Sequence, residues 1–117
     1  MEYKEYSESV KRTLAVLQSI EEDNLHMVLG ISTEAGELLD VFKKNLAYRK
    51  EIDWVNVREE IGDLMWYISN FCTINNLDFE DILLKNVEKL KVRYPEKFTE
   101  HDAKNRNLKM ERKTLDG

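Results

Sequence analysis

Apolar side chains recur along this chain at steps of three and four, the spacing of one helix face rather than the two-residue alternation of a strand. Tyr3, Tyr6, Val10, Leu14, Leu17 and Ile20 form a first stripe, so a helix is expected from about Tyr3 to Glu22. The run of residues 21–24 (EEDN) breaks the pattern, and Asp23 or Asn24 is placed to cap the next helix. Val28, Ile31, Ala35, Leu38, Leu39 and Phe42 then predict a second helix from about Leu25 to Leu46. Residues 46–53 read as a connection, with Asp53 as the N-cap of a third helix from about Trp54 to Asn75. Its stripe is Val57, Ile61, Leu64, Met65, Ile68, Phe71 and Cys72. Asp78 caps a fourth helix from about Phe79 to Tyr94, with Ile82, Leu83, Val87, Leu90 and Tyr94 on its inner face, and Pro95 stops it. The remainder is polar with little periodicity and reads as an irregular or partly ordered tail. Short connections make successive helices antiparallel neighbours. The expected fold is therefore all-α, a four-helix bundle-like array in one domain over residues 1–95, followed by a polar C-terminal tail over residues 96–117.

Composition supports long helices, since 117 residues contain only four Gly and one Pro. The net charge of -5 gives no basis for a nucleic-acid groove, which needs clustered positive charge. An acidic protein that handles phosphates needs a metal to bridge like charges. Cys72 is the single cysteine, so no intramolecular disulfide is possible, and a cytoplasmic setting is expected. No apolar stretch approaches the ~20 residues needed to span a bilayer, and the N-terminus lacks the apolar core of a signal peptide. A monomer this small buries a modest fraction of its surface, which fits an oligomer.

Against this background two short stretches stand out. In EAGE, Glu34 and Glu37 lie three residues apart, and in EIGD, Glu60 and Asp63 repeat the spacing. Residues three apart on a helix are neighbours on one face. Both pairs are expected on the flanks of their apolar stripes, and antiparallel packing of the second and third helices at roughly 8–10 Å lets them face each other. Four bare carboxylates in one cleft repel, and a divalent cation removes the conflict. Oxygen ligands without His or Cys suit Mg²⁺ or Mn²⁺. Taken singly, each Glu-x-x-acid pair is an ordinary exposed helix face. Gly36 and Gly62 alter that reading. A Gly in a helix costs about 0.5–1 kcal/mol relative to Ala, and each sits directly before the second acid, which suggests close helix approach or room for a ligand. A di-iron bundle wants Glu-x-x-His pairs, and neither His26 nor His101 is so placed.

The segments LGISTEAGELLD and REEIGDLMWYI, residues 29–40 and 58–68, resemble the MazG-like all-α nucleoside triphosphate pyrophosphohydrolases, whose motif is Glu-x-x-Glu, a variable spacer, then Glu-x-x-Asp. The likeness covers about residues 25–95. Related phosphoribosyl-ATP pyrophosphohydrolases and dimeric dUTPases share the helical core, and the EAGE and EIGD wording is nearer the MazG-like and dCTP pyrophosphatase branches. The resemblance implies Mg²⁺-dependent cleavage of a nucleoside triphosphate to the monophosphate and pyrophosphate. It implies metal ligation by Glu34, Glu37, Glu60 and Asp63, with Glu37 as candidate general base and Glu59 as a neighbour of Glu60. It implies a homodimer or homotetramer with sites near subunit interfaces.

Cations must meet the substrate's charge. Asn86, Lys89 and Arg93 lie at i, i+3 and i+7, one stripe of the fourth helix, and similar positions in the family contact the nucleotide's phosphates or sugar. Lys43 and Lys44 follow EAGE closely enough to assist. Trp54, Trp66, Tyr67 and Tyr48 are candidates for a flat wall against the base. Equally, Trp66 and Tyr67 are candidates for core or subunit-interface positions. The alternative class is a non-catalytic helical oligomer that binds a nucleotide or a protein partner.

Overall fold

The computed structural model describes residues 1–15 and 18–117. Among them are six helices and no strand: α1 (Tyr3–Lys11), α2 (Ile20–Tyr48), α3 (Trp54–Ile74), α4 (Phe79–Arg93), α5 (Glu100–Lys104) and α6 (Leu108–Leu115). No helix among the described residues is long and apolar enough to cross a membrane. The chain forms two compact units, Met1–Leu77 and Asp78–Gly117.

Two helix starts follow local chemistry. The Asp53 side chain accepts the Asn56 N–H at 3.1 Å and the Asp78 side chain accepts the Asp81 N–H at 3.2 Å, the caps expected for α3 and α4. The start of α2 departs from expectation. Ser19 is the cap, accepting the Glu22 N–H at 3.1 Å, and the acidic run 21–24 is the first turn rather than a break. Carboxylates there complement the helix's positive end, and Ser19 with Glu22 has the spacing of a capping box. Ile20 therefore belongs to α2, and α1 ends at Lys11, earlier than expected. Leu17, expected on the first stripe, lies outside the described residues.

In the first unit α2 and α3 run antiparallel. Asn24 and Asn75 exchange hydrogen bonds of 3.0 and 2.7 Å at one end. Phe42 and Trp54 meet edge to face, 6.2 Å between centroids, at the other. α1 joins α3 through the Tyr3 and Ser69 hydroxyls at 3.0 Å. Beyond its end, the Trp66 indole N–H donates to Thr13 Oγ1 at 2.7 Å. Met27, Val41, Val57 and Cys72 are buried apolar side chains of this unit. The close approach between helices falls at Gly30, where an added Cβ would sit 2.1 Å from the Tyr67 ring. Gly36 and Gly62, expected to mark such an approach, have nothing within 4 Å of the same position. Both lie on exposed helix surface, and among the described residues no neighbouring backbone demands their lack of a side chain.

In the second unit α6 packs antiparallel on α4. Arg93 Nη2 and Arg106 Nη2 donate to Glu111 Oε1 at 2.7 and 2.9 Å. The Lys85 ammonium donates to the Gly117 carbonyl. Residues 96–117, expected to be irregular or partly ordered, carry two helices, α5 and α6, capped by Thr99 and Asn107. The inner face of α4 differs too. Ile82, Leu83, Leu84, Val87 and Leu90 are exposed, while the half-buried line is Asp81, Lys85, Lys89 and Arg93. α6 offers the Glu111 carboxylate and the chain just past it the Gly117 carbonyl, so this segment seats against Arg93 and Lys85 of α4 rather than its aliphatic residues.

Glu111 is 3% exposed, and its two arginines hold its carboxyl at about 2, down from the ordinary 4.5, Arg106 contributing most. A carboxyl whose folded value is depressed stabilises fully above its unfolded value and loses that stabilisation as pH falls through its folded value. Attachment of α6 is therefore expected to be constant from pH 7 down to about 4.5 and to fail between there and about 2. An acid titration followed by hydrogen exchange of residues 108–115 checks this. Release of α6 beginning near pH 6 contradicts it.

Candidate metal and nucleotide site

The antiparallel register of α2 and α3 sets residue 34 opposite residues 60–63. Glu34, Glu60 and Asp63 each offer a carboxylate oxygen, and these oxygens lie within 4.8 Å of one another. Opposed oxygens around an octahedral Mg²⁺ stand about 4 Å apart, so the span fits one ion with small side-chain adjustment. Glu34 is half-buried and Glu60 only 7% exposed, so both occupy the inward lines of their helices rather than the flanks. Asp63 is exposed at the mouth.

The electrostatics are unfavourable without a cation. The Glu60 carboxyl is pushed above its ordinary value, first by its side-chain contact with Glu34, then by burial, then by the charges of Glu34 and Asp63. Two carboxyls in contact need a proton or a metal between them. Glu60 Oε2 is buried and has no hydrogen-bond partner among the described residues. Buried carboxylate oxygens are ordinarily satisfied, so this orphan points to a missing ligand. Three oxygen donors without nitrogen or sulfur fit Mg²⁺ or Mn²⁺.

Glu37, one turn beyond Glu34, is exposed and outside this group. Its charge bears on Lys44, which is paired with Asp40 at 3.0 Å. Lys43 is exposed, and so is Glu59, the neighbour of Glu60. The acid group opens on a cavity of about 300 Å³ lined by Glu34, Asp63, Trp66 and Tyr67. Trp66 and Tyr67 meet edge to face at 4.9 Å, and His26 stands against Tyr67 at 6.2 Å. Trp66 also borders a second cavity of about 360 Å³, whose lining includes Thr13, Gln18, Asp23 and His26. Of the other aromatic candidates, Trp54 packs on Phe42 and Tyr48 is exposed.

Asn86, Lys89 and Arg93 belong to α4 in the second unit. Asn86 is exposed and Lys89 half-buried. Arg93 donates to Glu111 from Nε at 3.4 Å and from Nη2 at 2.7 Å, so its fork is occupied. Sequence reasoning passed over Gly30, Arg106 and Glu111. Gly30 had a signal, since it stands one turn before Glu34 on the same helix line. Arg106 and Glu111 pair across five residues, a spacing that matches no helix-face step, and the third member, Arg93, is eighteen residues from Glu111, so no local pattern marked them.

A comparison with protein families matches the MazG nucleotide pyrophosphohydrolase domain over residues 22–98. No curated protein and no solved structure matches the chain. The match covers more than half the chain and contains α3, α4, α2 from its third residue onward, and all four motif acids. Read with the all-helical fold, it identifies the chain as a member of the MazG nucleotide pyrophosphohydrolase family, hydrolases that act on phosphoric anhydrides.

Proposed function

We propose that the protein cleaves a nucleoside triphosphate between the α and β phosphates, with Mg²⁺, giving the monophosphate and pyrophosphate. The observation that carries this reading is the group of Glu34, Glu60 and Asp63 with its buried, unpartnered Glu60 oxygen. In the proposal these three acids and Glu37 hold the ion, which supplies neutralisation of phosphate charge and a more acidic water. Glu34 and Glu60 would hold the ion from the inward side. Glu37, exposed one turn away, accepts the proton of the attacking water. The water's oxygen bonds to the α phosphorus as the bond to the bridging oxygen breaks, and pyrophosphate leaves.

Trp66 and Tyr67 offer the flat wall against which the base rests, beside the acid group. Lys89, Arg93 and Asn86 meet the phosphates or sugar. The exposed apolar side chains of α2 and α4, among them Leu39, Leu46, Leu83 and Leu84, support a homodimer or homotetramer. A cytoplasmic setting accords with the single free thiol of Cys72.

The test is release of pyrophosphate from a panel of ribo- and deoxyribonucleoside triphosphates and phosphoribosyl-ATP, with Mg²⁺ and with chelator. Mg²⁺-dependent release with monophosphate as co-product is expected. Formation of diphosphate and inorganic phosphate instead sinks the assignment of the cleaved bond.

A further inference from the structure

Lys85, Lys89 and Arg93 stand at four-residue steps on one line of α4, and all three are half-buried. α6 is fastened to this line through Glu111 to Arg93, and the chain just past its end through the Gly117 carbonyl to Lys85, which also pairs with Asp81 at 3.0 Å. Glu111 is gripped on both sides. It accepts from Arg93 Nε and Nη2 at 3.4 and 2.7 Å, and from Arg106 Nε and Nη2 at 3.1 and 2.9 Å. One anion held between two guanidinium forks is the arrangement by which arginines bind phosphate. The carboxylate is almost wholly buried, so it fills the space between the forks. Arg106 and Glu111 lie beyond residues 22–98, outside the segment that matches the family.

We propose that Arg93 and Arg106 form a two-guanidinium site for an oligophosphate, and that Glu111 of α6 is its tethered resting occupant, displaced when the oligophosphate binds. With Glu111 seated the three groups carry one net positive charge. A polyphosphate brings more negative charge and more acceptor oxygens to the same forks, which gives it the advantage over a single carboxylate. Glu111 stays ionised at neutral pH, so the exchange is one anion for another and not a protonation event. Arg106 thereby becomes a phosphate contact, and α6 a strap that lowers the apparent affinity of the resting protein. The inference rests on the reading of α4 as a helix that meets the substrate's phosphates.

Hydrogen exchange of the full chain tests it, with Mg²⁺ present and two probes: inorganic pyrophosphate, and a nucleoside triphosphate with a non-hydrolysable α,β-imido bridge. Faster exchange over residues 108–115 with either probe is expected. A response to the imido nucleotide alone assigns the site to substrate, and a response to pyrophosphate alone assigns it to product. Unchanged or slower exchange with both overturns the proposal. Independently, Glu111→Gln is expected to lower KM, by about tenfold for a site that is otherwise free about one-tenth of the time. Loosening of the fold alone does not lower KM, so an unchanged or raised KM also counts against it. Lys89→Ala separates the two levels. A raised KM there, with no effect at Glu111, leaves the α4 reading standing and removes only the strap.

Discussion

Replacing Glu60 with Gln is expected to reduce Mg²⁺-dependent turnover by at least about a hundredfold, the scale seen when one preorganised charge-stabilising group is removed from a reacting centre. The same change is expected to raise the melting temperature of the metal-free protein. Both outcomes have one cause. Glu60 is buried against Glu34 and near Asp63, and its carboxyl is pushed up because charge there is unfavourable without a counter-ion. Gln has nearly the same shape, carries no charge, and brings an amide N–H that can donate to Glu34. It therefore relieves the repulsion while removing a ligand. The pH dependence has a defined sign. A carboxyl with a raised folded value favours the fold at low pH and disfavours it as pH rises through that value. The metal-free wild type is thus expected to lose stability with rising pH over that interval, and Glu60→Gln to flatten the loss. Thermal melts across pH, with chelator present, check the stability half. Steady-state pyrophosphate release checks the other. A variant that is both less stable without metal and fully active contradicts the assignment of Glu60 to a metal-holding group.

The second large effect concerns packing. Gly30→Ala is expected to destabilise the protein by about 1–3 kcal/mol, the usual cost of forcing extra atoms into a packed contact. The added methyl would meet the Tyr67 ring at 2.1 Å, and the ring cannot give way cheaply, being flanked by Trp66 and His26. Tyr67 also lines the cavity beside the acids, so the variant is expected to raise KM as well. Gly36→Ala is the control. Nothing lies within 4 Å of its added methyl, so helix propensity alone acts, and stability is expected to rise by up to about 1 kcal/mol. Denaturant melts of the two variants give opposite signs if Gly30 is the true contact point. Equal and small effects would remove Tyr67 as a fixed wall of the site.

The contrast between these glycines shows how far the sequence can be read. Gly36 and Gly62 drew notice because each precedes a motif acid, yet adjacency along the chain does not say which side of a helix meets a neighbour. Gly30 does meet one, because the pairing of α2 with α3 sets it against Tyr67. Features governed by a few adjacent residues were legible: the Asp53 and Asp78 caps, and the acid spacing that brings Glu34, Glu60 and Asp63 together once two helices pair. The start of α2 was not, because an acidic run both breaks an apolar stripe and favours a helix's first turn. The helix after residue 107 was not, because it is fastened by Arg93 to Glu111, a contact no local pattern announces. The inward placement of Glu34 and Glu60 was missed for a related reason. A carboxylate in a buried line violates the hydrophobic pattern, and departures of that kind are expected at functional sites.

The proposed hydrolysis depends on these acids holding a divalent ion. Its most direct test is a titration of Mn²⁺ into metal-free protein, followed by electron paramagnetic resonance, for the wild type and for Asp63→Asn. Saturable binding by the wild type is expected, with its loss in Asp63→Asn at unchanged helix content and displacement of the bound Mn²⁺ by excess Mg²⁺. Equal binding by the two proteins would place the ion elsewhere and contradict the account.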